Sequence, residues 1–376
     1  MRIRPVEKTL MLWLKARKSV DRRKTDIKDF SPDCVKNILI VSSTAIGDTL
    51  LSTPAIRAVR KRYPEARLIA LFNRENIELF SNNPRIDGAV PYYGGYRRFN
   101  STVSALEKYS FDLALIFHGN EPQATPICYL AGARFIMKLP NNSDYNFLLS
   151  NREPVVTWDG MGHGIEGRLK TASLAGCAPD GVEMELFTER ADEEKALEFL
   201  RKEGAAEDCL LIGLQPGAST VSRQWFPERF MRLGKDLLQE HPDARIVLTG
   251  SPGEASLCKK IADGIGPGAI VAAGRLPLRQ VPPLVKRLGV FVTGDTGPMH
   301  IAIAVGTPVV ALYAVADSKK SGPLYGKGRH RVIQKGRTCD PCVSKKCEYQ
   351  KCMEAISVEE VEAAVNEIFT ARGKDA

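Results

Sequence analysis

The chain has 376 residues, 44% of them hydrophobic and 26% charged, with a formal net charge of +9. That length exceeds one ordinary core and suits two domains, and the lack of low-complexity tracts or repeats excludes a fibrous or disordered chain. The positive balance favours anionic partners, but no zinc-finger helix or basic-aromatic interleaving occurs, so nucleic acid is not expected among them.

Residues 1–35 are rich in Lys and Arg. Val6, Leu10, Trp13 and Leu14 fall on one helical face beside Lys8, Lys15, Arg17 and Lys18, which suits an anchor on an anionic membrane surface. A solvated basic helix or a frayed tail fits the same composition. The apolar run from Leu10 to Leu14 is too short for a secretory signal, and no segment reaches the ~20 apolar residues of a bilayer span. The expected location is cytoplasmic, with peripheral attachment to a membrane as an option.

Lys36 to Ser43 reads as a buried strand that turns through Thr44 to Asp48 into a helix. Arg67 to Phe72 and Phe111 to Phe117 read as further strands, and PYYGGYRRFN, Pro91 to Asn100, as a surface loop. A charged helical stretch, Glu189 to Asp208, separates this series from a second one, which places a boundary near residues 175 to 190. The second series has strands at Leu210, Arg245 to Thr249, Ile270 to Ala272, Val290 and Pro308 to Tyr313, with a helix at about Pro227 to Glu240. Strands alternating with helices argue for two parallel sheets covered on both faces, and a ligand would bind at the carboxyl ends of the strands, between the domains.

Four places carry candidate chemistry. Gly47 and Asp48 stand at the first strand-to-helix junction, where Gly47 leaves room for close backbone approach. Asp48 would act there either as a general base or as a helix cap. Arg223, in PGASTVSRQWFPERF, is positioned to hold a diphosphate, or is a surface arginine beside a buried tryptophan. In GDTGPMHIA a buried strand ends at Asp295, Thr296 and Gly297; Pro298 suits the first position of a helix and Gly306 its left-handed cap. That helix start, with His300 near it, invites a phosphate. Cys339, Cys342, Cys347 and Cys352 could bind a structural zinc, pair as disulfides or stay free thiols. No G-x-G-x-x-G or Walker pattern occurs, which demotes nicotinamide and P-loop chemistry.

Taken together, SSTAIGDTLLSTPAIRAVRKRYPEARL (Ser42 to Leu68), LQPGAS with RQWFPERFMRL, IVLTGSPGE and VTGDTGPMHIAIAVGTPVVALY (Val292 to Tyr313) resemble glycosyltransferase family 9, the ADP-heptose:lipopolysaccharide heptosyltransferases. The resemblance implies a GT-B architecture of two Rossmann-like, doubly wound parallel-sheet domains facing a central cleft. An acceptor domain would cover residues 36–185, a nucleotide-sugar domain 186–352, and a C-terminal helix 353–376. It implies inverting transfer of heptose from ADP-heptose to a lipid A–Kdo type glycolipid, without a catalytic metal. Asp48 then falls on the base, Arg223 on a donor-site position where relatives often carry lysine, and Asp295, Thr296, Gly297 and His300 on the donor-phosphate turn. On the acceptor side, Arg97 and Arg98 would meet phosphates or Kdo carboxylates, or remain solvated. Another nucleotide sugar or acceptor, or a non-catalytic sugar-nucleotide binder, are the competing readings.

Overall fold

A computed structural model describes residues 5–339, 342 and 347–375. The chain divides into two compact units, Met1–Met184 and Glu185–Ala376. The first opens with α1 (Pro5–Ser19) and continues β1 (Asn37–Ser42), α2 (Ile46–Leu50), α3 (Thr53–Arg62), β2 (Arg67–Asn73), β3 (Gly88–Tyr92), α4 (Phe99–Glu107), β4 (Leu113–His118), α5 (Ala124–Leu130), β5 (Phe135–Lys138) and α6 (Gly164–Ser173). Its sheet has the order β3-β2-β1-β4-β5, parallel throughout. The central strands are apolar along their whole length because helices cover both faces: Ile38, Leu39, Ile40 and Val41 are fully buried.

The second unit runs α7 (Arg190–Lys202), β6 (Leu211–Gln215), α8 (Pro227–Glu240), β7 (Arg245–Leu248), α9 (Ala255–Ile265), β8 (Ala269–Val271), α10 (Val281–Lys286), β9 (Val290–Gly294), α11 (Gly297–Ala304), β10 (Val309–Tyr313), α12 (Ser318–Ser321), β11 (Arg331–Gln334) and α13 (Val358–Asp375). Its sheet order is β11-β10-β9-β6-β7-β8, again all parallel. The fold is therefore the doubly wound α/β class expected, twice over. In each sheet the first strand lies between the second and fourth, β1 between β2 and β4 and β6 between β7 and β9. The strand order reverses there, and ligands of such sheets bind outside the carboxyl ends of those two strands.

Three strands depart from the sequence reading, and all are edges. β3 contains Pro91, which cannot donate to a ladder and is tolerated because the strand is outermost; the expected loop at Pro91 to Asn100 begins as strand and ends inside α4. β5 and β11 are four-residue edges. The N-terminal helix also differs. Leu14 is fully buried in the first core with Leu10 and Met11 against it, whereas Val6 and Trp13 are 63% and 48% exposed. The apolar face is thus divided, one stripe serving the core. No helix among the described residues is long and apolar enough to cross a membrane.

Candidate active site

At the switch point of the first sheet, β1 ends at Ser42 and α2 begins at Ile46, with Asp48 in its first turn. Gly47 lies within α2, in helical backbone. The Asp48 carboxylate is fixed from two sides: Thr44 Oγ1 donates to Oδ2 at 2.9 Å, and Arg168 Nη2 donates to Oδ1 at 3.0 Å. Arg168 reaches it from α6 and also donates to Ser52 Oγ at 2.9 Å and the Gly164 carbonyl at 2.7 Å. Its side chain is only 6% exposed, against 29% for Asp48. Burial lowers the proton affinity of Arg168 and the adjacent carboxylate draws it back up. A guanidinium keeps its charge regardless, so the aspartate is locked in orientation while part of it stays in contact with solvent.

His118, the last residue of β4, completes the group. Its Nδ1 lies 2.7 Å from Thr44 Oγ1 and its Nε2 3.6 Å from Asp48 Oδ1. Burial pushes the imidazole down to about 4, so the ring is neutral near pH 7. When Thr44 donates to the carboxylate, His118 Nδ1 carries the ring proton and donates to Thr44. Beyond it at the same sheet edge, Lys138, at the end of β5, donates to Glu121 at 2.5 Å. Arg168, His118 and Thr44 were not singled out from sequence.

The histidine's depressed affinity has a measurable consequence. Between 6.5 and about 4 the unfolded chain binds a proton that folded His118 refuses, so stability is lost as pH falls through that window. The loss reaches about 3 kcal/mol at the acid limit. His330, likewise lowered to about 4 by burial, adds a similar slope. Urea titrations from pH 7 to 4.5 should show this decline, and His118→Gln should remove about half of it; an unchanged slope would mean the ring is protonated in the folded state.

The second unit builds its group at the switch point of β6 and β9. Arg223 ends a single 3-10 turn, Val221–Arg223, after β6. The loop is anchored by Trp225, 2% exposed, whose Nε1 donates to the Ile356 carbonyl at 3.0 Å. It packs so closely on the end of β9 that a Cβ at Gly294 would lie 2.9 Å from the Arg223 carbonyl oxygen, which accounts for glycine there. Arg223 Nη1 stands 3.4 Å from Asp295 Oδ2. The other carboxylate oxygen of Asp295 accepts from Ser321 at 3.2 Å and Tyr313 at 3.4 Å. Burial, reinforced by this carboxylate, raises the Tyr313 phenol far above its usual range, so it stays a donor. Asp295 is thus a protein-facing anchor beside Arg223.

Immediately after it, Thr296 is the N-cap residue of α11, Gly297 its first residue and Pro298 its second. The first N–H groups of this helix have no partners within it. The helix closes with a Schellman pair, Thr307 N–H to the Ala302 carbonyl at 2.8 Å and Gly306 N–H to that of Ile303 at 3.2 Å, with Gly306 at φ +82°. His300 is buried in the first turn, 5% exposed. Asp295, Thr296, Gly297 and His300 therefore share one helix start, and Arg223 is brought to it.

The remaining candidates lie elsewhere. Arg97 is exposed, and Arg98, at φ +55° before α4, stacks its guanidinium 4.6 Å from the Tyr93 ring centroid. All nine cysteines are thiols. Cys339 and Cys352 both approach Thr338 Oγ1, at 4.0 and 3.5 Å, while Cys347 accepts the Tyr349 N–H at 3.4 Å. Residues 340, 341 and 343–346 of that segment lie outside the described residues. Among the described residues no three His, Cys, Asp or Glu side chains converge as metal ligands.

The profile of glycosyltransferase family 9 (heptosyltransferase) matches residues 102–353. The chain belongs to that family. As a family 9 glycosyltransferase it is 25% identical over 292 residues to lipopolysaccharide heptosyltransferase 3 of Escherichia coli, covering 72% of this chain and 81% of that one. Its fold is similar to E. coli ADP-heptose lps heptosyltransferase II, with TM-score 0.74 and 21% identity over 90% of this chain and 99% of that one. It is also similar to E. coli heptosyltransferase WaaC with ADP-2-deoxy-2-fluoro heptose, with TM-score 0.65 and 16% identity over 88% and 99%. The glycosyltransferase is accordingly of GT-B type.

Proposed function

We propose that this glycosyltransferase moves heptose from ADP-heptose to a lipid A–Kdo type inner-core acceptor of lipopolysaccharide, with inversion, at the cytoplasmic face of a membrane. The observation that carries the reading is the Asp48 carboxylate, held by Thr44 and Arg168 at the switch point of the first sheet and still 29% exposed. Relatives act on lipopolysaccharide, and the WaaC structure holds an ADP-heptose analogue.

In this reading the acceptor hydroxyl gives its proton to Asp48 as its oxygen forms a bond to the anomeric carbon. The carbon–oxygen bond to the diphosphate breaks, and its electron pair leaves on ADP. A single displacement inverts the centre. The N–H groups at the start of α11 and the Arg223 guanidinium take up the charge growing on the leaving group, so no metal step is needed. Asp295 holds Arg223 in place for this task. The four cysteines from Cys339 to Cys352 would contribute, with or without zinc, only to the local fold of their loop.

Binding assays with ADP-, UDP-, GDP- and CMP-sugars test the reading. ADP-heptose should bind best, and Arg223→Ala should raise its dissociation constant about tenfold while leaving acceptor KM unchanged. A preference for UDP-sugars would overturn the donor assignment.

A further inference from the structure

Trp158 is the most exposed tryptophan of the chain, at 60%, yet it stands on a segment fixed at both ends. On its N-terminal side the buried Asn141 accepts the Val156 N–H at 2.6 Å and donates its own N–H to the Val156 carbonyl at 3.2 Å. Trp158 begins a 3-10 turn closed by the Met161 N–H at 3.1 Å, and Lys170 Nζ donates to the Gly160 carbonyl at 3.1 Å. Two residues later His163 caps α6, the helix that sends Arg168 to Asp48. The indole lies 6.3 Å, centroid to centroid, from the His118 ring, whose Nε2 is 3.6 Å from Asp48. One imidazole thus separates a solvent-facing aromatic surface from the carboxylate.

We infer that Trp158 is a stacking platform for a pyranose ring of the acceptor, placing its hydroxyl at Asp48; the assignment rests on the acceptor side of the proposed reaction. The electron-rich face of an indole attracts the polarised C–H groups on the apolar side of a sugar, as it attracts cations and ring edges. A sugar held there would reach the exposed part of the Asp48 carboxylate past the neutral His118.

The test uses Trp13→Phe protein, in which Trp158 is the one exposed indole, since Trp225 is 2% exposed. Acrylamide quenching is measured with inner-core oligosaccharide released from lipopolysaccharide by deacylation, and separately with ADP. The oligosaccharide should shield the indole several-fold and ADP should not. In kinetics, Trp158→Ala should raise the KM for that oligosaccharide about tenfold with the ADP-heptose KM unchanged, and Trp158→Phe should recover most of the loss. The platform is refuted if transfer proceeds while the indole stays open, if ADP does the shielding, or if Trp158→Ala weakens sedimentation with phosphatidylglycerol vesicles but not the KM. Shielding without any transfer from ADP-heptose would instead refute the proposed donor and leave the platform standing.

Discussion

Asp48→Asn is expected to lower kcat by about 10³-fold while the affinity for the nucleotide sugar stays within about twofold. Asparagine keeps the shape: its oxygen still accepts from Arg168, its amide N–H₂ donates to Thr44 Oγ1 in place of the oxygen that accepted there, and Thr44 turns its own hydrogen to His118 Nδ1, so the contacts are kept while the capacity to take a proton is lost. The comparison of kcat with donor affinity separates this from misfolding. Retained turnover would show that the proton leaves by another path, and His118, next to the carboxylate with a neutral ring, would then be the group to examine.

The second large effect is on stability and depends on which partner of the buried pair is removed. Asp48→Ala strands the Arg168 guanidinium, whose side chain is 6% exposed, and should cost about 3 kcal/mol, or roughly 10 °C in the melting temperature of a unit this size. Arg168→Met leaves a carboxylate that is 29% exposed and still bonded to Thr44, so water covers much of the loss and the penalty should be less than half as large. Joining the two substitutions should restore most of the stability lost in Asp48→Ala alone, because no buried charge then lacks a partner. Equal penalties for the two single variants, measured by calorimetry, would mean that the pair is far more hydrated than its exposure indicates.

Central strands were legible because they are apolar on both faces: β1, β2, β6, β7 and β9 stand where the apolar runs put them. The edge strands β3, β5 and β11 were not, since one side of each lacks a neighbour and their sequences carry proline, lysine or alternating exposure. Asp48 and the Asp295–His300 turn were singled out because polar residues at the junction of a buried strand and its helix are conspicuous. His118 stands in the same relation to β4 and could have been found by the same sign. Arg168 left a different trace. It interrupts the apolar stripe Ile165, Leu169 and Ala172 of α6, and a charge on the inward face of a helix needs an opposite charge to meet. Its partner lies 120 residues earlier, a separation that no local pattern spans.

The insertion of Leu14 into the first core also settles the character of the amino-terminal arm. A leash of lysines and arginines would sample every direction and spread its charge over a sphere. Here the roll of the segment is pinned, so Trp13 and Arg17, one turn apart, always look the same way, with the Arg17 guanidinium 5.5 Å from the Trp13 ring centroid. Whatever rests against that side meets a rigid, oriented decal, and its recognition carries none of the ordering entropy that a floppy tail would forfeit.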